Sequence, residues 1–273
     1  MYGFTLGRTI DVNYPTNRWL IITIIAVILG AWPYTGSILL GMTVGLGFFL
    51  CWALAREIDP AHDLSAFVAG GFYLLSIPVF DGLQLAFLFY VLLLLRFISG
   101  ICGRGPTLAD QAALFAFTVY LLVSRESGIY GLFLALALLL ALPKAQDKPV
   151  LQGLGKIAVV VSLVASAFWP WQAGLMWEYA LLPGILALSV LMLVSAIFNR
   201  ALAVDQGMQD DRGRPLPPYR VRRAHAFYSA VVLAVLLLET FTLVTYVLLA
   251  SVLLGTGVYR LLVCLKEGSR SSA

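Results

Sequence analysis

The chain has 273 residues, of which 61% are hydrophobic and 12% charged, and its mean hydropathy is +0.92. A soluble domain carries about 25% charged residues, so the composition excludes an ordinary soluble protein and predicts a polytopic helical membrane protein. The net charge of +4 does not indicate nucleic acid, because the basic residues lie in loops beside apolar segments, where the positive-inside bias explains them.

Apolar segments that approach the length needed to cross a bilayer recur along the whole chain. We predict an all-α transmembrane bundle of about ten spans in five hairpins, a single integral membrane domain over 1–273 with no soluble domain. The short pair 65–80 and 82–98 is either two full spans or a re-entrant pair, and eight spans are the alternative. The predicted segments are 19–32, 36–55, 65–80, 82–98, 108–123, 127–142, 155–170, 177–198, 224–238 and 241–262.

The basic residues predict which loops face the cytoplasm. Of the 18 Lys and Arg residues, 17 fall on one side of the predicted spans, and Arg125 falls on the other. Because Lys and Arg concentrate in cytoplasmic loops, we expect a multi-pass protein of the cell membrane with both termini in the cytoplasm. The predicted cytoplasmic loops are at about 56–64, 99–107, 143–154 and 199–223.

Four potential metal ligands lie within seven residues of the first cytoplasmic loop. They are Glu57, Asp59, His62 and Asp63. Oxygen-rich clusters of this kind hold Mg²⁺ against a substrate phosphate. The alternative is a solvated turn, in which the Asp59–Pro60 pair ends one helix and Asp63 or Ser65 caps the next.

The loop 199–223 is the longest polar interruption of the chain, with six arginines and three aspartates. A metal-and-phosphate site is one interpretation, since arginine matches phosphate oxygens. The candidate residues are Asp205, Asp210, Asp211, Arg212 and Arg214. The alternative is a solvated loop that fixes topology and contacts anionic lipid headgroups or a cytoplasmic protein. Three prolines stiffen the stretch from Arg214 to Val221, so we expect it to pack on the protein.

The sequence DDRGRPLPPYRVRRA at 210–224 resembles the tail of the first aspartate-rich motif of the UbiA-type intramembrane prenyltransferases. Asp59 and Asp63 also share the DxxxD spacing of that family. The resemblance implies two such motifs that face the cytoplasm across a helical bundle and hold a prenyl diphosphate through Mg²⁺.

Two further patterns predict local structure. Thr107 and Asp110 have the spacing of a capping box at a helix start, and Asp110 is explained by that role. Gly41, Gly45 and Gly47 predict a small-residue face for close helix packing.

The predicted spans carry no ionisable residue near the middle, and both histidines, His62 and His225, are expected at the cytoplasmic surface. Ion-coupled transporters usually carry an intramembrane ionisable group. The sequence therefore favours a permease- or flippase-like facilitator for a neutral or lipid-like solute, or a membrane-embedded subunit, with no cofactor and the lipid bilayer as partner. The alternative is an Mg²⁺-dependent enzyme that acts on a lipid phosphate or prenyl diphosphate at the cytoplasmic face.

Overall fold

The computed structural model describes residues 4–7, 12–103, 105–141, 149–169, 208–210 and 212–271. Within these ranges the fold is helical, as predicted, and the one departure is an isolated bridge between Gln209 and Pro215. The elements are α1 Pro15–Thr35, α2 Ile38–Ile58, α3 Asp63–Leu74, a 3₁₀ turn Ile77–Val79, α4 Leu85–Ser99, α5 Leu108–Arg125, α6 Ile129–Ala141, α7 Pro149–Phe168, α8 Pro218–Leu238 and α9 Leu243–Ser271.

Six of the described helices, α1, α2, α5, α7, α8 and α9, are long and apolar enough to cross a membrane. The prediction of about ten spans exceeds this number and is not confirmed by the described helices. Helices α3, α4 and α6 have 12, 15 and 13 residues, and a rise of about 1.5 Å per residue makes each shorter than a hydrocarbon core of about 30 Å. The predicted span 177–198 lies outside the described residues.

Local sequence sets where several helices begin and end. Prolines occupy the first turn of α1 and of α8, where the missing N–H costs nothing. The predicted capping box of α5 is confirmed, because the Thr107 side chain accepts from the Asp110 N–H and the Asp110 side chain accepts from the Thr107 N–H. Helix α4 ends at Gly100, which has a left-handed φ of 65° that glycine adopts without strain.

Helices α2 and α4 form the centre of the bundle. Helix α2 packs against α1, α3, α4, α8 and α9, and α4 also packs against α5, α6 and α8. Helix α1 lies at the periphery, where one of its faces exposes Trp19, Ile22, Ile25 and Leu29. Exposed apolar faces of this extent are typical of contact with lipid or a partner.

Glycines allow the closest helix contacts. The predicted small-residue face is confirmed for two of its glycines, because a Cβ on Gly41 would lie 3.0 Å from the Ile28 carbonyl oxygen and one on Gly45 would overlap the Ile28 side chain. Gly47 instead faces Tyr73 of α3. Another close approach joins α9 to α3, where a Cβ on Gly255 would overlap the backbone of Ala69. Small residues of this kind let membrane helices approach each other closely.

We expect Gly255→Ala to lower the thermal midpoint of the detergent-purified protein. The added methyl group meets backbone atoms that cannot rotate away, and such overpacking costs about 1–3 kcal/mol. The matched control is Gly71→Ala on α3, since a Cβ there meets nothing within 4 Å. The control should be neutral or slightly stabilising because alanine favours the helix. Equal midpoints for the two variants would contradict the proposed close contact.

Candidate functional site

Charged side chains gather at the end of the bundle where α2, α4 and α6 terminate and α3, α5 and α8 begin, which we call the charged end. The N-terminal segment is fixed here, because the Thr5 N–H and hydroxyl donate to the Asp110 carboxylate at 2.7 and 2.6 Å. Arg223 of α8 donates to the Leu140 carbonyl of α6 at 2.9 Å. The charged end is therefore a bonded layer that joins separate helices.

The acidic residues predicted as metal ligands in the first loop form ion pairs with different arginines. Glu57 pairs with Arg96, whose Nε donates to Oε1 at 3.1 Å, and Ser99 donates to Oε2 at 3.0 Å. Both oxygens of Glu57 are therefore bonded, and the residue is 1% exposed.

Asp63 bonds in a different direction, toward the start of α1. Its Oδ1 pairs with Arg56, and its Oδ2 accepts from the Tyr14 hydroxyl at 2.8 Å and from the Thr16 hydroxyl at 2.7 Å. The expectation that Asp63 or Ser65 caps the next helix is wrong, because the N-cap of α3 is His62, without a side-chain cap, and Asp63 is its first residue.

Asp59 forms the most deeply buried pair. Arg260 of α9 donates through Nη2 to Asp59 Oδ1 at 2.7 Å, with side-chain exposures of 3% for the arginine and 0% for the aspartate. The Nδ1 atom of His62 lies 3.0 Å from the same oxygen. Burial raises the pKa of Asp59, but the hydrogen bonds from His62 and Arg260 and the charge of Arg260 outweigh it and hold the pKa below the ordinary value of 3.8.

The expected surface position of His225 is wrong, because the residue is buried and only 2% exposed. Its ring interacts electrostatically with both members of this pair, Arg260 and Asp59. Helix α8 begins at Pro218 rather than near residue 224, so His225 lies two turns inside the helix. We call Asp59, His62, His225 and Arg260 the polar cluster.

Hydrogen bonding in the polar cluster is incomplete. Within the described part of the chain, Asp59 Oδ2, Arg260 Nε and Nη1, and both ring nitrogens of His225 are buried without a hydrogen-bond partner. Buried polar atoms are nearly always bonded, and each exception needs an explanation. Sequence reasoning missed Arg260 and His225, because it counted the arginine only as a topology signal and placed the histidine at the cytoplasmic surface.

The described residues of the 199–223 loop form a second site. Asp210 Oδ2 accepts from Nε of Arg214 at 3.0 Å, and Oδ1 accepts from the backbone N–H groups of Arg212 and Arg214 at 2.9 Å each. Desolvation raises the pKa of Asp210, but the bonds from Arg214 and Arg212 hold it below its ordinary value. Asp205 and Asp211 lie outside the described residues.

The proline-rich stretch packs on the protein, as expected. Leu216 is buried in a small apolar cluster with Ile101, Met208 and Val221, and its N–H donates to the Met208 carbonyl at 2.8 Å. The Arg214 side chain donates to the Gly103 carbonyl. This stretch is therefore docked against the loop that follows α4, although the side chains of Arg212 and Arg214 are exposed.

The predicted acids do not share one site in the described residues. Glu57, Asp59, Asp63 and Asp210 each bond to a different arginine. Among the described residues there is no group of three or more His, Cys, Asp or Glu side chains that could hold a metal ion. Magnesium binding at these residues stays a prediction.

One more buried carboxylate, Glu239, lies at the opposite end of the bundle. Ser127 donates to its Oε2 at 2.7 Å, and Arg125 lies 3.8 Å from its Oε1. Burial raises the pKa of Glu239 above its ordinary value, although Ser127 and Arg125 act in the other direction. Glu239 therefore holds Arg125 and Ser127 next to the start of α9.

Several apolar helices of membrane-spanning length, with their charges gathered in a bonded layer at one end, are the features of a helical membrane protein. Comparison with protein-family models, with curated proteins and with solved structures gave no match. The likeness of 210–224 to the UbiA-type prenyltransferases stays a resemblance between motifs.

We expect Asp59→Asn to lower the free energy of unfolding by about 3–5 kcal/mol, because it leaves Arg260 buried without a counter-charge. Adding Arg260→Gln removes the unbalanced charge and should recover part of the loss. The measurement is a double-mutant cycle of unfolding in detergent near pH 7. Asp63→Asn is the control, and it should cost less because Arg56 and Asp63 are 11% and 26% exposed.

The pH dependence follows from the lowered pKa of Asp59. Its stabilising contribution is complete above the ordinary value of 3.8 and is lost as the pH falls through the lower value in the folded protein. The difference between wild type and Asp59→Asn should therefore persist at neutral pH and shrink only in strong acid. Strictly additive losses in the cycle, or a difference that vanishes at neutral pH, would contradict the ion pair.

Proposed function

We propose that the protein is a permease of the facilitator type in the cell membrane, and that the polar cluster is the point at which a small polar solute binds on its way through the bundle. The observation that carries the proposal is the incomplete hydrogen bonding of that cluster. Both oxygens of Glu57, Asp63 and Asp210 are bonded, whereas Asp59 leaves Oδ2 unused although its side chain is 0% exposed.

The energetic cost of unbonded polar atoms supports a functional role for the polar cluster. A buried donor or acceptor without a partner costs about 1–3 kcal/mol, and ionisable groups within membrane helices are rare unless they serve transport or binding. Arg260 and His225 lie within α9 and α8, two helices of membrane-spanning length. A structural ion pair needs only Asp59 and Arg260, so the adjacent unbonded imidazole favours a binding role.

The unused atoms define the class of solute. Arg260 offers donors at Nε and Nη1, and Asp59 offers an acceptor at Oδ2. A solute that carries both an acceptor and a donor, such as a zwitterion or a small amide or polyol, matches this set. The proposal needs no cofactor.

The topology we propose for this permease is ten spans in five hairpins with the charged end in the cytoplasm. The distribution of Lys and Arg supports the orientation, since Arg125 alone falls on the far side. The pairing of hairpins is supported at the opposite end, because Arg125 donates to the Thr240 carbonyl and Thr242 donates to the Gly82 carbonyl there. A reporter enzyme fused after Arg125 should be active outside the cytoplasm, and activity inside would contradict this orientation.

The test of function is solute entry into proteoliposomes, followed by light scattering after an osmotic step. The probes are glycine, urea and glycerol, each compared with protein-free liposomes. We expect faster entry of at least one probe, and about tenfold slower entry for the Asp59→Asn, Arg260→Gln double variant, which loses charge-assisted bonds to the solute.

Asp63→Asn is the matched control, because it removes a carboxylate from the same end of the bundle without touching the polar cluster. It should keep the wild-type entry rate. If no probe enters faster than in protein-free liposomes, the permease proposal fails and a membrane-embedded subunit becomes the better account. Equal slowing by Asp63→Asn would mean that the charged end acts only through stability.

A further inference from the structure

The charged end also contains cavities lined by arginine, apart from the polar cluster. Two adjoining cavities share Gly100, Gly105 and Arg220. The inner one has a volume of about 90 Å³ and also contacts Arg96 and apolar side chains, among them Leu6 and Phe97. The outer cleft has a volume of about 470 Å³ and also contacts Asp210 and Arg214. We propose that these cavities bind a phosphate group.

The charge balance of the cavities favours an anion. Arg96 is offset by Glu57, and Arg214 is offset by Asp210. Arg220 takes part in none of the ion pairs found among the described residues, and its Nε is buried without a hydrogen-bond partner. Among the described residues, the shared wall therefore carries one positive charge without an acidic partner, and a planar guanidinium matches phosphate oxygens.

Glycines shape the cavities around this arginine. Gly100 and Gly103 have left-handed φ angles of 65° and 69°, which residues with a Cβ rarely adopt. A Cβ on Gly100 would lie 2.7 Å from Nη1 of Arg220, and one on Gly103 would lie 3.2 Å from Oδ2 of Asp210. The loop therefore lets the guanidinium lie directly against the backbone at the cavity wall.

The size and lining of the cavities suit a phosphate group from either of two sources. The inner volume of about 90 Å³ exceeds the roughly 30 Å³ occupied by one water molecule, so it has room for a small oxyanion. Leu6, Phe97 and Ala141 give it an apolar wall beside the arginines, which also suits the headgroup region of a phospholipid. The shared chemistry is the phosphate, and the experiment separates free phosphate from lipid phosphate.

The experiment measures the thermal midpoint of delipidated, detergent-purified protein against ligand concentration, since a ligand bound only by the folded state raises it. One arm uses sodium phosphate, with sodium chloride at equal ionic strength as its reference. The other arm uses phosphatidic acid, with diacylglycerol of the same acyl chains as its reference. A rise with sodium phosphate identifies free phosphate as the ligand, and a rise with phosphatidic acid alone identifies a lipid headgroup.

Two variants test whether a ligand-dependent rise in the thermal midpoint depends on Arg220. Arg220→Gln should weaken binding about tenfold, the loss expected for a charge-assisted hydrogen bond. Arg222→Gln is the matched control, because it removes an exposed arginine from the same turn of α8 and should leave binding unchanged. If Arg220→Gln does not fold, Arg220→Lys replaces it, and its reduced donor geometry should still weaken binding.

Three results would overturn the proposal. The first is a midpoint that neither phosphate nor phosphatidic acid raises above its reference. The second is an equal loss of binding in Arg222→Gln, which would indicate nonspecific attraction to a basic surface. The third is unchanged binding in the folded Arg220 variant. None of these results bears on the permease proposal, because the polar cluster contains neither arginine.

Discussion

The structure depends on how a mostly apolar bundle keeps charges buried. An isolated charge in a low-dielectric interior is strongly unfavourable, and only a close counter-charge makes burial tolerable. The Asp59–Arg260 pair meets this requirement at 2.7 Å and thereby fixes the end of α2 to α9. Gly255 brings the same helix α9 against Ala69 of α3, so one ion pair and one close backbone contact hold three helices together.

The other carboxylates of the charged end follow the same rule and complete their bonding. Glu57 joins α2 to α4 through Arg96, and Arg96 also donates to the Leu6 carbonyl at 3.1 Å. Asp110 caps α5 and holds Thr5. These contacts form a frame around the polar cluster, where Asp59 is the carboxylate of this end, among the described residues, that keeps an unbonded oxygen. A binding site needs both properties, since a rigid surrounding structure orients the few groups that remain available to a solute.

Local signals in the sequence were sufficient for the helical class, the capping box of Thr107 and Asp110, and the close face of Gly41 and Gly45. Each of these features is determined by residues near one another in the chain. Helix α8 was predicted to begin too late, because Arg220, Arg222 and Arg223 suggested a loop although Pro218 is a good first residue of a helix. That error placed His225 at the surface.

The sequence did not reveal which residue each buried carboxylate pairs with. Glu57, Asp59 and Asp63 lie close together along the chain, which suggested one metal cluster. Glu57 lies in the last turn of α2, Asp59 follows the end of that helix and Asp63 begins α3. The three carboxylates therefore leave the backbone in different directions, and Glu57 bonds toward α4, Asp59 toward α9 and Asp63 toward α1. Arg260 is 201 positions from Asp59, and only the tertiary structure brings them together. Most of the candidate site therefore depended on long-range packing.

The most direct test of the account is the reactivity of a cysteine placed at His225, in a protein whose Cys102 and Cys264 are replaced by serine. Cys51 stays as an internal standard, because it is a fully buried thiol on α2 with no role in the polar cluster. If a solute pathway reaches the cluster, a small membrane-impermeant thiol reagent should modify position 225 much faster than Cys51, and a permeating solute should slow that reaction. Equal rates at the two positions would show that both thiols are exposed only by unfolding, and would contradict a binding role for the polar cluster.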